Sequence, residues 1–311
     1  MKKAKCLIVP FVISFAYIFL IACNNDEDIL IYPTSFEDRM KVDELERTFI
    51  INLPSRYNNT LDSLPLVIGL HGTGGSASQF ERDYDFSLKA ELERFIVVYP
   101  NGVSSNGQFG LRTWNAGTCC DYAARKKIDD VKFISSLIDK LVNEYRIDPN
   151  RVYVTGMSNG GMMSYRLAAE IPDKIAAIAP VSSTMVYTPT ANQKRSVPIL
   201  HLHSLLDKIV PYDGGTNSMG YHFPPVDSIL KVWAKRNNCD PNFKFIDKAE
   251  YTKKEWLDNS GFPIIVHYAT KDGGHSWPGG KKVRPRADSP SKAINANALI
   301  WEFFEQHRLQ D

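Results

Sequence analysis

The chain has 311 residues, a length that suits one large α/β domain or two small ones. Hydrophobic residues make up 43% and charged residues 23%, an ordinary globular balance that argues against a disordered, collagen-like or repeat protein. The 37 basic residues fall to 34 without Lys2, Lys3 and Lys5, against 35 acidic ones, and this near-neutral charge predicts no nucleic-acid partner.

The first 23 residues have the order of an export signal. The three lysines precede an apolar run over residues 7–21, and the small residue Ala22 precedes Cys23. The run is short for a membrane-spanning helix, which needs about 20 residues, so a cleaved signal peptide is favoured over an uncleaved anchor. A cysteine in this place resembles the lipobox of bacterial lipoproteins, in which it carries the lipid and becomes the first mature residue.

We therefore expect residues 1–22 to be a lipoprotein signal peptide, Cys23 to be lipidated and residues 23–45 to form a tether. The acidic residues 26–28 resemble a surface-export signal, and a solvated linker is the alternative. The expectation is an exported protein that is lipid-anchored to a bacterial membrane, on the cell surface or elsewhere, or secreted, and that contacts membrane only through this lipid.

From residue 46 onward, short apolar runs alternate with patterns of helical spacing. The runs predict strands over residues 47–53, 65–70, 95–99, 151–155, 175–179, 197–202 and 264–268. The helical patterns cover residues 76–94, 129–145, 159–170, 226–237 and 291–307. This alternation indicates βαβ units in an α/β fold, with a mostly parallel central sheet and helices on both faces. Residues 46–311 are predicted to form one domain, with a long loop over residues 101–127 that is typical of a functional segment.

Residues 156–160 have the form G-x-S-x-G, with Ser158 at the centre. A predicted strand precedes them and a predicted helix follows, which is the strand–turn–helix setting that a nucleophilic serine of this type needs. The turn lifts Ser158 to the carboxyl end of the sheet, and the N–H groups at the helix start face a developing anion. The alternative is a plain strand-to-helix turn.

A serine hydroxyl is a weak nucleophile and needs a base. Hydrolases with this turn place their triad in the order Ser, Asp or Glu, His. Six histidines follow Ser158 in the chain: His201, His203, His222, His267, His275 and His307. His275 is the predicted base because its loop follows the strand at 264–268, at the sheet edge where ligands bind. His201, His203 and His267 lie on or beside strands and are expected to be packed.

The acid is predicted to be Asp207, in the loop after the strand at 197–202, where it would orient His275. Asp213 is the nearest rival, Asp240 and Asp272 are weaker ones, and a loop-capping aspartate is the alternative role.

The oxyanion of the tetrahedral intermediate needs two donors. We expect one to be the N–H of Asn159, directly after the nucleophile, and the other to be Thr73 in the glycine-rich loop 71–75. Glycines let this backbone approach a substrate closely. His71 is expected to support the loop.

Several stretches together resemble one known family. They are residues 70–75 (LHGTGG), 114–120 (WNAGTCC), 130–133 (DVKF), 156–162 (GMSNGGM), 207–215 and 274–280 (GHSWPGG). They are similar to the polyhydroxybutyrate depolymerase / feruloyl esterase family, carbohydrate esterase family 1 of the α/β-hydrolase superfamily. The resemblance implies an α/β-hydrolase fold without cofactor or metal, and cleavage of acyl, hydroxycinnamoyl or hydroxyalkanoate esters outside the cell. Ser158, Asp207 and His275 match its triad, and Thr73 and Asn159 match its oxyanion donors.

Two tryptophans are predicted to contact the substrate. Trp114 and Trp277 fall on loops beside the expected site and are predicted to form a platform for an aromatic acyl group or a sugar, with loop packing as the alternative.

Of the five cysteines, Cys119, Cys120 and Cys239 remain in the domain. Either a vicinal bridge or one bridge to Cys239 could form, and the sequence does not decide between them. Two features depart from the family: the bulky pair Leu205 and Leu206 before Asp207, and the lack of a later cysteine to pair with Cys239.

The sequence thus predicts a monomeric serine esterase whose substrate is an ester, with feruloyl or acetyl esters on plant polysaccharide favoured. A poly(3-hydroxybutyrate)/hydroxyalkanoate depolymerase or a short-chain ester hydrolase is the alternative. A peptidase of the same fold and a non-catalytic surface binder are the rivals from other classes.

Overall fold

The computed structural model describes residues 7–13, 16–22, 34–106, 110–189, 195–282 and 284–309. The N-terminal segment forms a unit of its own, in which β1 (Leu7–Ile13) pairs antiparallel with β2 (Ala16–Ala22). The predicted lipidation site Cys23 lies outside the described residues. None of the helices in the described ranges combines the length and the apolar character that a bilayer crossing demands.

The second unit extends from Pro33 to Asp311. Its described strands are β3 (Ser35–Val42), β4 (Leu45–Asn52), β5 (Leu64–Leu70), β6 (Ile96–Pro100), β7 (Val103–Ser104), β8 (Arg112–Thr113), β9 (Ile147–Met157), β10 (Ala177–Val181), β11 (Ile199–Ser204), β12 (Gly215–Thr216), β13 (His222–Phe223), β14 (Phe243–Asp247), β15 (Tyr251–Leu257) and β16 (Pro263–Thr270). Its described helices are α1 (Ala77–Tyr84), α2 (Phe86–Glu93), α3 (Asp121–Arg125), α4 (Asp130–Glu144), α5 (Asn159–Glu170), α6 (Val226–Arg236) and α7 (Ala296–Phe304), with 3-10 turns at Tyr57–Asn59 and Pro172–Lys174.

Ten strands form one mixed sheet in the order β14-β15-β16-β11-β10-β9-β5-β6-β4-β3. The six central strands, from β16 to β6, run parallel, and an antiparallel pair closes each edge. The predicted mostly parallel sheet is confirmed. Because the six central strands end on the same edge, the loops after them converge there.

One face of the sheet is covered by α1, α2 and α7. The sheet residue Tyr153 belongs to a buried cluster with Phe80 of α1, Ala90 of α2 and Trp301 of α7. The Tyr153 ring also stacks on Phe304, with centroids 4.6 Å apart. This aromatic layer fixes three helices against the parallel strands.

The opposite face is covered as well. Val152 and Val154 flank Tyr153 in β9, so they point to the other side of the sheet, and both are fully buried. α5 contacts β9 and β10 and buries Met163 and Leu167. Helices therefore lie on both faces, as the alternating pattern predicts.

Three predicted elements differ from the structure. The single helix expected over residues 76–94 is broken at Asp85, whose φ of 50° is left-handed and separates α1 from α2. The long loop 101–127 contains the β7–β8 hairpin and α3. Part of the expected tether 23–45 is the edge strand β3, which pairs along its whole length with β4. Exposed and half-buried residues alternate along most of β3, so the strand contains no apolar run that would mark it in the sequence.

Candidate active site

The turn at residues 156–160 depends on the absence of side chains at its glycines. Ser158 lies between β9 and α5 with φ 56° and ψ −120°, a left-handed conformation that strains a residue with a Cβ. A Cβ on Gly156 would lie 2.5 Å from the carbonyl carbon of Gly160, and a Cβ on Gly160 would overlap the carbonyl oxygen of Leu70. The predicted strand–turn–helix setting of Ser158 is confirmed.

The structure brings His275 and Asp207 together. His275 Nδ1 lies 2.8 Å from Asp207 Oδ2, and the Asp207 side chain is fully inaccessible. Asp207 Oδ1 accepts hydrogen bonds from the N–H groups of Ile209 and Val210, both at 2.9 Å. Burial acts to raise the pKa of Asp207, but the charge and hydrogen bond of His275, with the nearby His203, hold it below its usual value. Asp207 therefore stays ionised beside the imidazole.

The end of β10 joins the serine turn to the histidine loop. The carbonyl of Val181, the last residue of β10, accepts a hydrogen bond of 2.9 Å from the N–H of Ser158. The hydroxyl of Ser182 donates to the carbonyl of Ser276 at 3.0 Å, next to His275 in the chain. One short segment thus fixes both loops, and the Ser158 side chain is partly exposed at this edge.

The rival aspartates have other places. Asp213 and Asp240 are exposed. Asp272 accepts hydrogen bonds from the Ser291 hydroxyl and, at 2.8 Å, from the Lys292 N–H, so it anchors the base of the histidine loop. Of the four candidates, Asp207 is the one that reaches His275.

Asp288 is a site residue that sequence reasoning missed. Its Oδ2 accepts a hydrogen bond of 2.7 Å from the N–H of His275, and a Cβ on Gly274 would collide with the same carboxylate. Asp288 lies 13 residues after the histidine in a segment without a periodic pattern. No local signal in the chain marks the contact, which only the folded loop creates.

The two predicted oxyanion donors lie on segments that adjoin the serine. Asn159 is the first residue of α5, where N–H groups have no acceptor within the helix. Its side chain accepts from the Trp114 N–H at 2.7 Å and donates to the Trp114 carbonyl at 3.1 Å, which fixes the helix start. Thr73 is exposed in the glycine-rich loop. A Cβ on Gly72 would lie 3.3 Å from Ser158 Cβ, so this loop passes directly beside the serine.

His71 supports the glycine-rich loop, as expected. Its Nδ1 donates to the Gly72 carbonyl at 2.7 Å, and its Nε2 accepts from the Gly102 N–H at 3.0 Å. Burial is the main reason that the pKa of His71 is lowered to about 4. The ring is therefore neutral at pH 7 and acts as a fixed acceptor.

The predicted tryptophan platform is wrong in this structure. Trp114 is fully buried, and its Nε1 donates to the His71 carbonyl at 2.9 Å. Trp277 is 2% exposed, stacks on Tyr84 with centroids 4.8 Å apart and donates through Nε1 to Asn297. Both rings pack the loops that carry site residues and present no free face to a substrate.

The cysteine alternatives are resolved in favour of a vicinal bridge. Cys119 and Cys120 form the disulfide, and Cys239 is free. Within the described ranges, no group of three His, Cys, Asp or Glu side chains is arranged to hold a metal ion.

Comparison with solved structures identifies the class of fold. The solved structure of an acetyl xylan esterase from Aspergillus awamori matches 87% of this chain and 99% of its own, with a TM-score of 0.62 and 16% identity. At that identity the likeness concerns the fold alone, and the fold is that of an α/β-hydrolase.

Comparison with sequence relatives narrows this fold class to one protein family. The model of the esterase PHB depolymerase family matches residues 48–226. The bifunctional acetylxylan esterase/xylanase XynS20E of Neocallimastix patriciarum is 35% identical over 255 residues, which are 80% of this chain and 32% of that protein. Feruloyl esterase B of Piromyces equi is 32% identical over 201 residues, 62% of this chain and 36% of that protein. The chain thus spans about a third of the length of these two relatives.

The chain belongs to the esterase PHB depolymerase family, a family of carboxylic ester hydrolases.

The buried, neutral His71 predicts a loss of stability in acid. The unfolded histidine has a pKa near 6.5 and the folded one about 4, so the unfolded chain binds the extra proton between these values. The stabilisation is present above pH 6.5 and is lost as pH falls towards 4.

In the variant His71→Gln, an amide oxygen that does not titrate replaces the imidazole nitrogen as acceptor. Between pH 7 and pH 5, wild type should lose about 2 kcal/mol more unfolding free energy than this variant, measured by urea denaturation. His222→Gln, at an exposed position, is the control and should follow wild type. Parallel pH dependences of wild type and His71→Gln would show that His71 does not titrate as described.

Proposed function

We propose that the chain is a serine esterase that hydrolyses carboxylic esters through an acyl-enzyme on Ser158. The observation that carries the proposal is the 2.8 Å contact between His275 Nδ1 and the buried Asp207, at the same sheet edge as the strained Ser158 turn. A buried carboxylate fixes the imidazole so that Nε2 is free to act as a base and stabilises the imidazolium that forms.

In this mechanism His275 Nε2 takes the hydroxyl proton while Ser158 Oγ attacks the carbonyl carbon of the ester. The N–H groups of Asn159 and Thr73 bind the oxyanion of the tetrahedral intermediate. The carbon–oxygen bond to the alcohol then breaks, and His275 gives its proton to the leaving alkoxide. Water repeats the sequence on the acyl-enzyme, which releases the acid and regenerates Ser158.

The activity is tested on three esters that separate the substrate classes: p-nitrophenyl acetate, methyl ferulate and a hydroxybutyrate oligomer. Ser158→Ala should abolish hydrolysis of each ester that wild type cleaves, and Asp207→Asn should lower kcat about 10⁴-fold because the imidazole loses its orientation. Asp213→Asn, at the exposed rival, should behave as wild type.

The result that contradicts the proposal is specific. If Ser158→Ala hydrolyses the esters as fast as wild type, Ser158 is not the nucleophile. If folded wild type cleaves none of them, the non-catalytic binder is favoured instead.

For the substrate, we favour feruloyl or acetyl esters attached to plant polysaccharide. The names of two relatives, an acetylxylan esterase/xylanase and a feruloyl esterase, support this class. A cavity of about 340 Å³ also opens at the carboxyl end of β6. Its lining includes the polar residues Ser104, Asn106, Arg112 and Tyr122 beside the apolar residues Leu45, Val103 and Ile128. The Arg112 carbonyl accepts a hydrogen bond of 2.8 Å from Gly74 N–H, which joins the cavity to the loop that carries Thr73. Such a lining suits the hydroxyl groups of a sugar chain beyond the ester.

The cavity predicts a difference between small and polymeric substrates. Arg112→Ala removes a donor from the cavity, so KM should rise about tenfold on feruloylated or acetylated xylan, the equivalent of one hydrogen bond of about 1.4 kcal/mol. The kinetics on p-nitrophenyl acetate, which is too small to fill the cavity, should stay unchanged. Lys41→Ala, which removes an exposed cation from the edge strand, is the control. An equal effect of Arg112→Ala on both substrates would contradict the saccharide assignment.

A hydroxyalkanoate polyester is the second candidate, because an apolar surface adjoins the loop that carries Asp207. Leu205 and Leu206, directly before the acid, are 41% and 54% exposed. Leu205 borders a shallow pocket that Phe243 and Phe245 of β14 also line. Preference for the hydroxybutyrate oligomer over methyl ferulate would favour this candidate.

We also propose that the protein is exported and held to a membrane by lipid on Cys23. The support is the basic, apolar and small-residue order before this cysteine. In a bacterial host, Cys23→Ser should abolish incorporation of alkyne-labelled fatty acid and release the esterase from the membrane fraction, whereas Cys239→Ser should retain both. Labelling that survives Cys23→Ser would contradict the anchor.

A further inference from the structure

A buried line of side chains behind Asp207 has no part in the mechanism above. The Tyr165 hydroxyl lies 2.7 Å from His201 Nδ1, and His201 Nε2 lies 3.2 Å from His203 Nδ1. All three side chains are fully buried, and the two imidazoles stack with centroids 5.4 Å apart. Burial is the main reason that the pKa of each histidine is lowered, so both rings are neutral.

The hydrogen-bond partners fix the direction of the line. His203 Nε2 lies 2.9 Å from the carbonyl oxygen of Val210, which only accepts, so Nε2 carries the hydrogen. In a neutral ring Nδ1 is then an acceptor, and His201 Nε2 is its donor. His201 Nδ1 in turn accepts from the Tyr165 hydroxyl. Each donor therefore points from α5 towards the Asp207 loop.

His203 reaches Asp207 by two routes. Its Nε2 lies 3.4 Å from Asp207 Oδ2, the oxygen that faces His275, and both side chains are inaccessible to solvent. It also holds the carbonyl of Val210, whose own N–H donates to Asp207 Oδ1 at 2.9 Å. The Nε2–H edge of the His203 ring thus faces two partners. One is the Asp207 carboxylate, and the other is Val210, whose N–H holds that carboxylate.

We propose that His203 is a positioning residue for the triad, which holds the Asp207 carboxylate so that Oδ2 meets His275, and that Tyr165 and His201 fix its tautomer. This inference rests on the proposed function, since it gives a role to the acid of that triad. A small misplacement of a catalytic group costs about 100-fold in rate, which sets the size of effect expected when the donor is lost.

The pH dependence should change as well. The groups that face the carboxylate are His203 from β11, His275 from the loop after β16 and the N–H groups of Ile209 and Val210, while Asp288 faces the N–H of His275. Without the His203 ring, the N–H dipole 3.4 Å from Asp207 Oδ2 is lost and Val210, whose N–H donates to Oδ1, is no longer held, so the pKa of Asp207 should rise. Because protonation of Asp207 removes the acceptor that orients His275, the acid limb of activity should move to higher pH.

The experiment compares His203→Leu with His203→Gln in the full chain. Glutamine places an amide nitrogen near the position of Nε2, whereas leucine has no donor. Rates are expressed per active site titrated with a fluorophosphonate. We expect kcat to fall about 100-fold in His203→Leu, with the acid limb shifted upward, and to stay within about threefold of wild type in His203→Gln. His267→Leu is the matched control, because this ring is equally buried in the adjacent strand and its described hydrogen bonds go to Tyr212 and the His201 carbonyl.

A second readout needs no substrate. The proton between His275 Nδ1 and Asp207 should give a downfield resonance in the proton NMR spectrum, which His203→Leu should shift and His203→Gln should retain. If folded wild type shows this resonance but cleaves no ester, the proposed function fails while the positioning role is still tested.

The inference is overturned if His203→Leu keeps the wild-type resonance and acid limb, or if His203→Gln is impaired as strongly as His203→Leu. Should the leucine variant fail to fold, His203→Asn takes its place, because its amide is too short to reach Val210. Asparagine that matches glutamine in both readouts would equally overturn the role.

Discussion

The site depends on the contact between the end of β5 and the start of α5. Gly160 lies so close to the carbonyl of Leu70 that no side chain fits between them. This close approach holds Ser158 in its left-handed conformation and brings the loop with Thr73 alongside it. The helix must begin at once after the turn, so its free N–H groups lie where an oxyanion would form.

The rest of the site is fixed by loops tied to each other more than by the strands alone. Ser182 links the serine turn to the loop that carries His275. Asp288 holds the N–H of His275, and Asp272 ties the start of the loop to Ser291 and Lys292. Trp114 and Trp277 have the same kind of role. The Trp114 indole N–H bonds to His71 in the glycine-rich loop, and that of Trp277, near His275 in the chain, bonds to Asn297 of α7. Residues that resemble a substrate platform in the sequence are therefore supports.

Two different surfaces adjoin the loops that carry the site residues. A cavity of mixed polarity is joined to the glycine-rich loop through Arg112, and a mainly apolar pocket with Phe243 and Phe245 borders the loop that carries Asp207. The bulky Leu205, a departure from the family pattern, contributes to the apolar side. In feruloyl polysaccharide the alcohol portion is a polar sugar and the acyl portion is aromatic, whereas both portions of a hydroxyalkanoate polyester are apolar. The two surfaces therefore bear on the choice between the candidate substrates.

Local patterns in the sequence predict the parallel strands, the helix after Ser158 and the loops that carry Asp207 and His275, because apolar runs, helical spacing and glycine-rich turns are all local. They do not mark β3 or the β14–β15 hairpin, whose partly exposed residues lack an apolar run. Asp85 broke a predicted helix through a backbone conformation that spacing does not encode. Folding brings Asp207 rather than Asp213 to His275, buries both tryptophans and places Asp288 and His203 against the pair. Each of these depends on which loops meet at the sheet edge, and contacts between distant segments leave no periodic trace in the chain.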